Sequence, residues 1–215
     1  MSKKKILIIG AGQFGIIVSN ILKNSKEFEI IGFIDNNSKK LNKKINKIKV
    51  VGTDKKLNFY KKKKINLAIA IFDTKKRNQI IKRYQNGGFL FPKIFHSSCN
   101  IEKNVKIGKG TIITNSSIVL NNTTIGKFCL IGSGIKILHH VSIADNCVIG
   151  GGTTVGSNVQ IEKNVFVGVG AVFASKKIKV GKNSYVCSGS VVMNNIRERS
   201  KVIGNPARSI PLKSN

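Results

Sequence analysis

Three histidines, His96, His139 and His140, carry all the imidazole chemistry available to this 215-residue chain. A neutral imidazole beside an amine or hydroxyl is what a general base requires, so the adjacent pair His139-His140 is the first candidate. Two solvated surface histidines without a chemical role are the alternative for the same pair. A metal centre is not expected. Protein zinc sites gather several His or Cys ligands, and the four cysteines, Cys99, Cys129, Cys147 and Cys187, include no C-x-x-C pair. The second chemistry-bearing segment is Gly10-Ala11-Gly12-Gln13-Phe14-Gly15. Glycines in this spacing let backbone N–H groups approach a phosphate at the positive end of a helix. Asp35, about twenty residues on, falls where a carboxylate accepts a ribose hydroxyl. Without a ligand, the same glycines serve a tight turn.

The elements around that loop read as strand, glycine turn, helix, strand and acid. Ile6 to Ile9 is a short apolar strand, Ile16 to Leu22 opens an amphipathic helix, and Ile30 to Ile34 is a second strand ending at Asp35. A third strand over Leu67 to Ile71 and a helix over Lys75 to Tyr84 complete the unit. A dinucleotide needs two such halves across a sheet of about six strands, and the first ninety or so residues hold one. A mononucleotide or nucleotide-sugar is the better expectation, and a nicotinamide enzyme ranks behind it.

The histidine pair lies in a different kind of sequence. Stepping by six from Ile101 meets Ile107, Ile113, Val119, Ile125, Ile131, Ile137, Ile143, Ile149, Val155, Ile161 and Val167, every one Ile or Val. Four residues beyond each stands a small or β-branched residue, among them Thr111, Ser117, Thr123, Cys129, Val141, Cys147, Thr153 and Ala171. Six residues cannot keep one face of a helix, at 3.6 per turn, but they suit short strands joined by corners. The phase runs on to Phe173, slips by one residue, and resumes at Val180, Val186 and Val192, implying a bulged corner around Ala174 to Lys179. Cys99, Cys129 and Cys147 fall on the small inward position and read as core thiols, while Cys187 is undetermined. The pattern resembles the hexapeptide-repeat left-handed β-helix, in which three hexads make a triangular coil of eighteen residues. Such stacking puts His139 beside Asn121 and Ser157, and His140 beside Asn122 and Asn158, both facing out at a corner.

Composition narrows the partners. Lys+Arg 38 against Asp+Glu 9 gives a formal net charge of +29, with 41% hydrophobic residues. The excess is spread over both halves and is mostly lysine, unlike the aromatic-lined basic stripe of a nucleic-acid binder, so nucleic acid is not the expected partner. The run Phe59-Tyr60-Lys61-Lys62-Lys63-Lys64 reads as a solvated loop or helix end. No apolar run reaches the eighteen or so residues a membrane span requires. Met1 to Lys5 followed by Ile6 to Ile9 is basic then apolar like a leader, but Gly10, Gly12 and Gly15 interrupt it, and a mature cytoplasmic protein is expected.

Taken together, an N-terminal Rossmann-like α/β half domain (1–95), an all-β left-handed parallel β-helix (96–215) bearing His139, and the closing Val202-Ile203-Gly204-Asn205-Pro206-Ala207 resemble the bacterial sugar acetyltransferases of the NeuD/PglD type. The resemblance runs from Lys5 to Ala207. It implies transfer of acetyl from acetyl-CoA to the amino group of a nucleotide-linked amino-sugar in bacterial glycan synthesis, by a homotrimer whose sites are shared between chains. It places nucleotide-sugar contacts on Gly12, Gln13, Phe14, Asp35, Asn36 and Phe72. The base falls on His139, and coenzyme contacts, largely through backbone, on Val148, Val169 and Ser188. Relatives commonly carry Asp or Glu after the base, where this chain has His140, and tend to have Gly where Phe72 stands. O-acetylation of a sialic acid or other sugar is the enzymatic alternative. A non-catalytic scaffold binding nucleotides or polyanions is the alternative of a different class.

Overall fold

The computed structural model describes residues 3–60 and 65–211 and divides the chain into two compact units, Met1–Ile94 and Phe95–Asn215. Met1 and Ser2 of the basic N-terminus and Lys61 to Lys64 of the lysine run lie outside the described residues.

The first unit is built on a five-stranded sheet of order β3-β4-β2-β1-β5. The strands are β1 (Lys4–Ile9), β2 (Phe28–Ile34), β3 (Lys44–Ile45), β4 (Ile48–Gly52) and β5 (Asn66–Ile69). β1 is fully apolar from Ile6 and lies inside the sheet, parallel to β2 on one side and β5 on the other. Helix α1 (Gln13–Lys23) buries Phe14, Val18, Ile21 and Leu22, the spacing of one helical face. Its approach to β1 depends on Gly15, where a Cβ would stand 2.0 Å from the Gly10 carbonyl oxygen. A short α2 (Leu57–Tyr60) follows β4, and α3 (Thr74–Tyr84) starts on the Asp73 side chain, which accepts from the Lys76 N–H at 2.9 Å. The helices and strands read from sequence are all present. The β3–β4 hairpin is an addition, turning on Asn46 and Lys47, both at positive φ (50 and 64).

The second unit is a β-helix of mostly two-residue strands stacked in parallel into three sheets, one of which ends in the antiparallel pair Lys201–Ile203 and Arg208–Ile210. One sheet runs from Asn100–Ile101 through Ile118–Val119, Lys136–Ile137 and Thr154–Val155 to Val191–Val192. Each strand pairs with the one eighteen residues on, as Ile118 with Lys136 and Ser142 with Gln160. The slip in phase appears as Gln160 pairing with Lys179, one residue later than the rule. Val119, Ile131, Ile137, Ile149, Val155 and Val167 point inward with no exposed surface. Each contributes about 1.5–3 kcal/mol of burial, which makes the column the main support of the prism.

The small inward positions form a second column that mixes apolar residues with hydroxyls and thiols. Thr111 Oγ1 donates to the Gly126 carbonyl at 2.7 Å and Thr123 Oγ1 to that of Leu138 at 3.0 Å; Cys129 and Cys147 Sγ reach the Ala144 and Glu162 carbonyls at 3.1 Å. These thiols are core groups that tie one coil to the next. Cys99 is half-buried and does the same to Thr114 at 3.1 Å, its thiol pushed up by burial despite backbone hydrogen bonds. The corners follow a third register: Asn104, Gly110, Ser116, Asn122, Phe128, Gly134, His140, Asn146, Gly152, Asn158, Asn164 and Gly170 all have φ between 56 and 71. Asn and Gly dominate there because they enter the left-handed region at least cost.

Candidate functional site

In the first unit a cavity of about 470 Å³ opens at the carboxyl ends of β1 and β2, lined by Gly10, Asp35, Asn36, Asp54, Lys76 and Arg83. The chain order reverses around β1, the position where open α/β sheets bind ligands. Gly12 is the N-cap of α1 and offers no side-chain cap, leaving the first amides of the helix without a capping acceptor. A Cβ on Gly12 would meet no atom within 4 Å. The protein itself gives no packing reason for that glycine, unlike Gly15, so the open space suits an anion approaching the helix. Gln13 is exposed beside it.

Asp35 is committed to the loop more than the sequence implied. Its Oδ2 accepts from the Ala11 N–H at 2.9 Å and the Lys40 ammonium at 3.1 Å, and its Oδ1 from the Asn37 N–H at 2.9 Å. Burial raises its pKa, but these hydrogen bonds and the Lys40 charge outweigh it and hold the carboxyl below its ordinary 3.8. Lone-pair capacity remains on Oδ1 for one further donor. Asn36 is exposed and accepts from the Asp54 N–H at 2.9 Å. The Phe14 ring is 8% exposed and packs edge-on against that of Phe72, 38% exposed, with centroids 4.8 Å apart, while the Phe14 N–H stands in the uncapped first turn of α1. Lys40 and the Arg83–Asp54 ion pair were not found from sequence, since lysine is too common in this chain to mark one position. Nor was Arg77, which is fully buried and donates to the Ile71 carbonyl at 2.8 Å, fixing the loop that carries Phe72.

In the β-helix, the corner between Ile137 and Val141, both buried, consists of Leu138, His139 and His140. The inward pair pins the corner and turns both imidazoles outward, where they are exposed. Neighbouring coils clamp the backbone: the His140 N–H donates to the Asn121 carbonyl, and the His139 carbonyl accepts from the Asn158 N–H. The two rings stand at 88° to each other with Nδ1 facing Nδ1 at 2.9 Å. His139 Nε2 lies 3.0 Å from Ser157 Oγ, and His140 Nε2 lies 3.3 Å from Asn122 Nδ2. Stacking of coils thus delivers Ser157 and Asn122 as expected. A groove of about 350 Å³ runs from His140 past Asn158 and Gln160 to Lys177 and Lys179. An exposed imidazole held at its far nitrogen can take a proton at Nε2 from a group brought against it.

The expected coenzyme positions separate. Val169 is 63% exposed and Ser188 is exposed, both at corners. Val148 has no accessible surface and cannot touch a ligand, which corrects the sequence reading: the outward residues Ile112, Leu130 and Val148 of its sheet are all buried. Among the described residues, no group of three or more His, Cys, Asp or Glu side chains could hold a metal ion, and no helix is long and apolar enough to cross a membrane.

Family models match most of both units. The PglD N-terminal domain matches residues 5–84, the bacterial transferase hexapeptide (six repeats) residues 122–157, and the hexapeptide repeat of succinyl-transferase residues 158–194. No curated protein matches the chain in sequence. Similar solved structures include PerB from Caulobacter crescentus in complex with CoA and GDP-perosamine, with a TM-score of 0.90, 22% identity, and coverage of 98% of this chain and 99% of that one. The acetyltransferase domain of PglB from Neisseria gonorrhoeae in complex with acetyl coenzyme A has a TM-score of 0.91, 22% identity and coverage of 97% and 100%. WeeI from Acinetobacter baumannii has a TM-score of 0.83, 24% identity and coverage of 97% and 100%. At these identities the likeness establishes the fold, the left-handed β-helix included. The chain thus joins a PglD-type N-terminal domain to bacterial transferase hexapeptide repeats.

Proposed function

We propose that the protein transfers acetyl from acetyl-CoA to the amino group of a nucleotide-linked amino-sugar, as a step of bacterial glycan synthesis carried out in the cytoplasm. The observation that carries this reading is the exposed His139 imidazole, with Nδ1 against His140 and Nε2 3.0 Å from Ser157 Oγ, on a transferase-type β-helix. The α/β unit, with its uncapped helix start and open space at Gly12, would take the nucleotide phosphates, and Asn36 and Phe72 would border the sugar. The formal charge of +29 draws both anionic substrates toward the protein.

In the reaction, the acceptor amine attacks the thioester carbonyl carbon while His139 Nε2 takes the amine proton. Backbone N–H groups steady the oxyanion. The C–S bond then breaks, the thiolate of CoA leaves, and the imidazolium returns the proton to it, so that base and product thiol are both restored to neutrality. Coenzyme would lie near Val169 and Ser188. Exposed Val169, Val172 and Met193 favour self-association of the β-helix, and a homotrimer is the assembly we propose.

The test offers purified protein a panel of nucleotide-linked amino-sugars, GDP-perosamine among them, with acetyl-CoA and follows free thiol. Thiol release with an amino-sugar and N-acetyl product is expected. Release with sialic acid or another sugar hydroxyl alone would move the assignment to O-acetylation. Failure to bind acetyl-CoA at moderate salt would leave a scaffold.

A further inference from the structure

Arg77 is a fully buried cation on the inner face of α3, where Ile81 and Tyr84 are the other buried residues. A guanidinium is seldom taken out of water unless its N–H groups are used. Its Nη1 donates to the Ile71 carbonyl at 2.8 Å and reaches the Phe72 carbonyl at 3.4 Å. β5 ends at Ile69, and the Ala70 N–H still donates to the Ile9 carbonyl of β1 at 2.8 Å. Ile71 and Phe72 stand beyond the sheet, and Arg77 takes up their carbonyls in place of a neighbouring strand. The helix that follows the loop thus holds it from inside.

Strand order gives that hold a consequence. β1 stands between β2 and β5, so Asp35, after β2, and Phe72, after β5, flank the glycine loop on opposite sides. A ligand with its phosphates at the start of α1 and its ribose at Asp35 extends the group beyond the phosphates toward Phe72. The Phe72 ring packs edge-on against Phe14 in the first turn of α1. With no accessible surface, Arg77 cannot touch a ligand itself.

We propose that Arg77 is a positioning residue for the acceptor sugar. By holding the Ile71 and Phe72 carbonyls it sets the rim against which the sugar of a nucleotide-sugar rests, and it leaves the nucleoside end unaffected. This rests on the reading that the sugar lies at Phe72.

The test is a double-mutant cycle on the full chain. Calorimetry follows the nucleotide-linked amino-sugar of the panel that gives the fastest thiol release, and the nucleoside diphosphate that matches it without the sugar. Arg77→Met keeps the apolar length of the side chain and removes the donors together with the charge, so no unpaired ion is left inside. It is expected to weaken the nucleotide-sugar about tenfold, the scale of a lost buried hydrogen bond, and the diphosphate by less than about twofold. KM for acetyl-CoA should stay within about twofold. Phe72→Ala should weaken the nucleotide-sugar by a similar factor. Adding Arg77→Met to it should cost less than about twofold more, because a loop without the ring has nothing left to place. Arg77→Lys keeps the buried charge with a point donor in place of the fork, and carries the comparison if Arg77→Met does not fold; its affinity for the nucleotide-sugar should be about threefold below the parent's.

Equal weakening of nucleotide-sugar and diphosphate overturns the proposal. So does a full tenfold loss on top of Phe72→Ala, or parent-like affinity in the Arg77 variants. Parent-like affinity in Phe72→Ala, or thiol release with no member of the panel, removes the reading on which the proposal rests and the proposal with it, so the two failures are distinguishable.

Discussion

Around His139, the hydrogen-bonding groups beyond its own chain neighbour come from the adjacent coils, Ser157 on one and Asn122, through His140, on the other. Around Asp35, they come from Ala11 in the glycine loop, Asn37 two residues on and Lys40 in the next turn. The β-helix repeats one local rule, so any outward residue has neighbours that arithmetic can name. The α/β unit assembles its pocket from four separate segments, and its side chains serve the loop first and a ligand second. The difference teaches that a repeat makes a rigid, legible mount for a single group, whereas an α/β crevice spreads its function over backbone and is read less completely.

Core truncation should give the largest effect on folding. Ile149→Ala opens a cavity in the closed column and is expected to destabilise the β-helix by about 2–5 kcal/mol, measured by denaturant unfolding with the two units followed separately. A loss under about 1 kcal/mol would mean the column relaxes and is less rigid than the comparison holds. Next, Gly15→Ala drives a methyl into the Gly10 carbonyl and should destabilise the α/β unit by about 1–3 kcal/mol. Gly12→Ala, only three residues away, should leave stability within about 0.5 kcal/mol and weaken nucleotide-sugar binding, read by calorimetry. Equal behaviour of the two variants would erase the division between a packing glycine and a ligand-facing one.

The smallest effect is electrostatic. Asp35 has a lowered folded-state pKa, so its contribution to stability is present above the unfolded value near 3.8 and is lost as pH falls through the lower folded value. Asp35→Asn should therefore flatten the acid limb of the α/β unit's stability below about pH 4, leaving the β-helix limb unchanged. An unchanged slope in the variant would show that the Ala11, Asn37 and Lys40 contacts do not hold the loop.

What the sequence disclosed follows the same division. The column Ile101 to Val167, the slip near Ala174 and the partners of the histidine pair were all legible, because each depends on spacing alone. Val148 misled because the repeat says which residues face outward and nothing about what covers a sheet. The packing of the Phe14 ring on Phe72 was not legible, because a glycine-loop motif marks backbone approach and says nothing of the ring beside it. The β3–β4 hairpin hid behind Asn46-Lys47, which makes a turn with two positive φ values without the glycine that usually announces it. Arg77 hid in a polar helix, because the carbonyls that bury it come from a loop the helix pattern cannot see.

The central claim is that His139 supplies the base from a corner fixed by the β-helix. Replacing His139 with Ala and measuring turnover alongside acetyl-CoA affinity tests it most directly. The account predicts a fall in kcat of about a hundredfold or more with affinity largely retained. Turnover equal to that of the parent chain would contradict it.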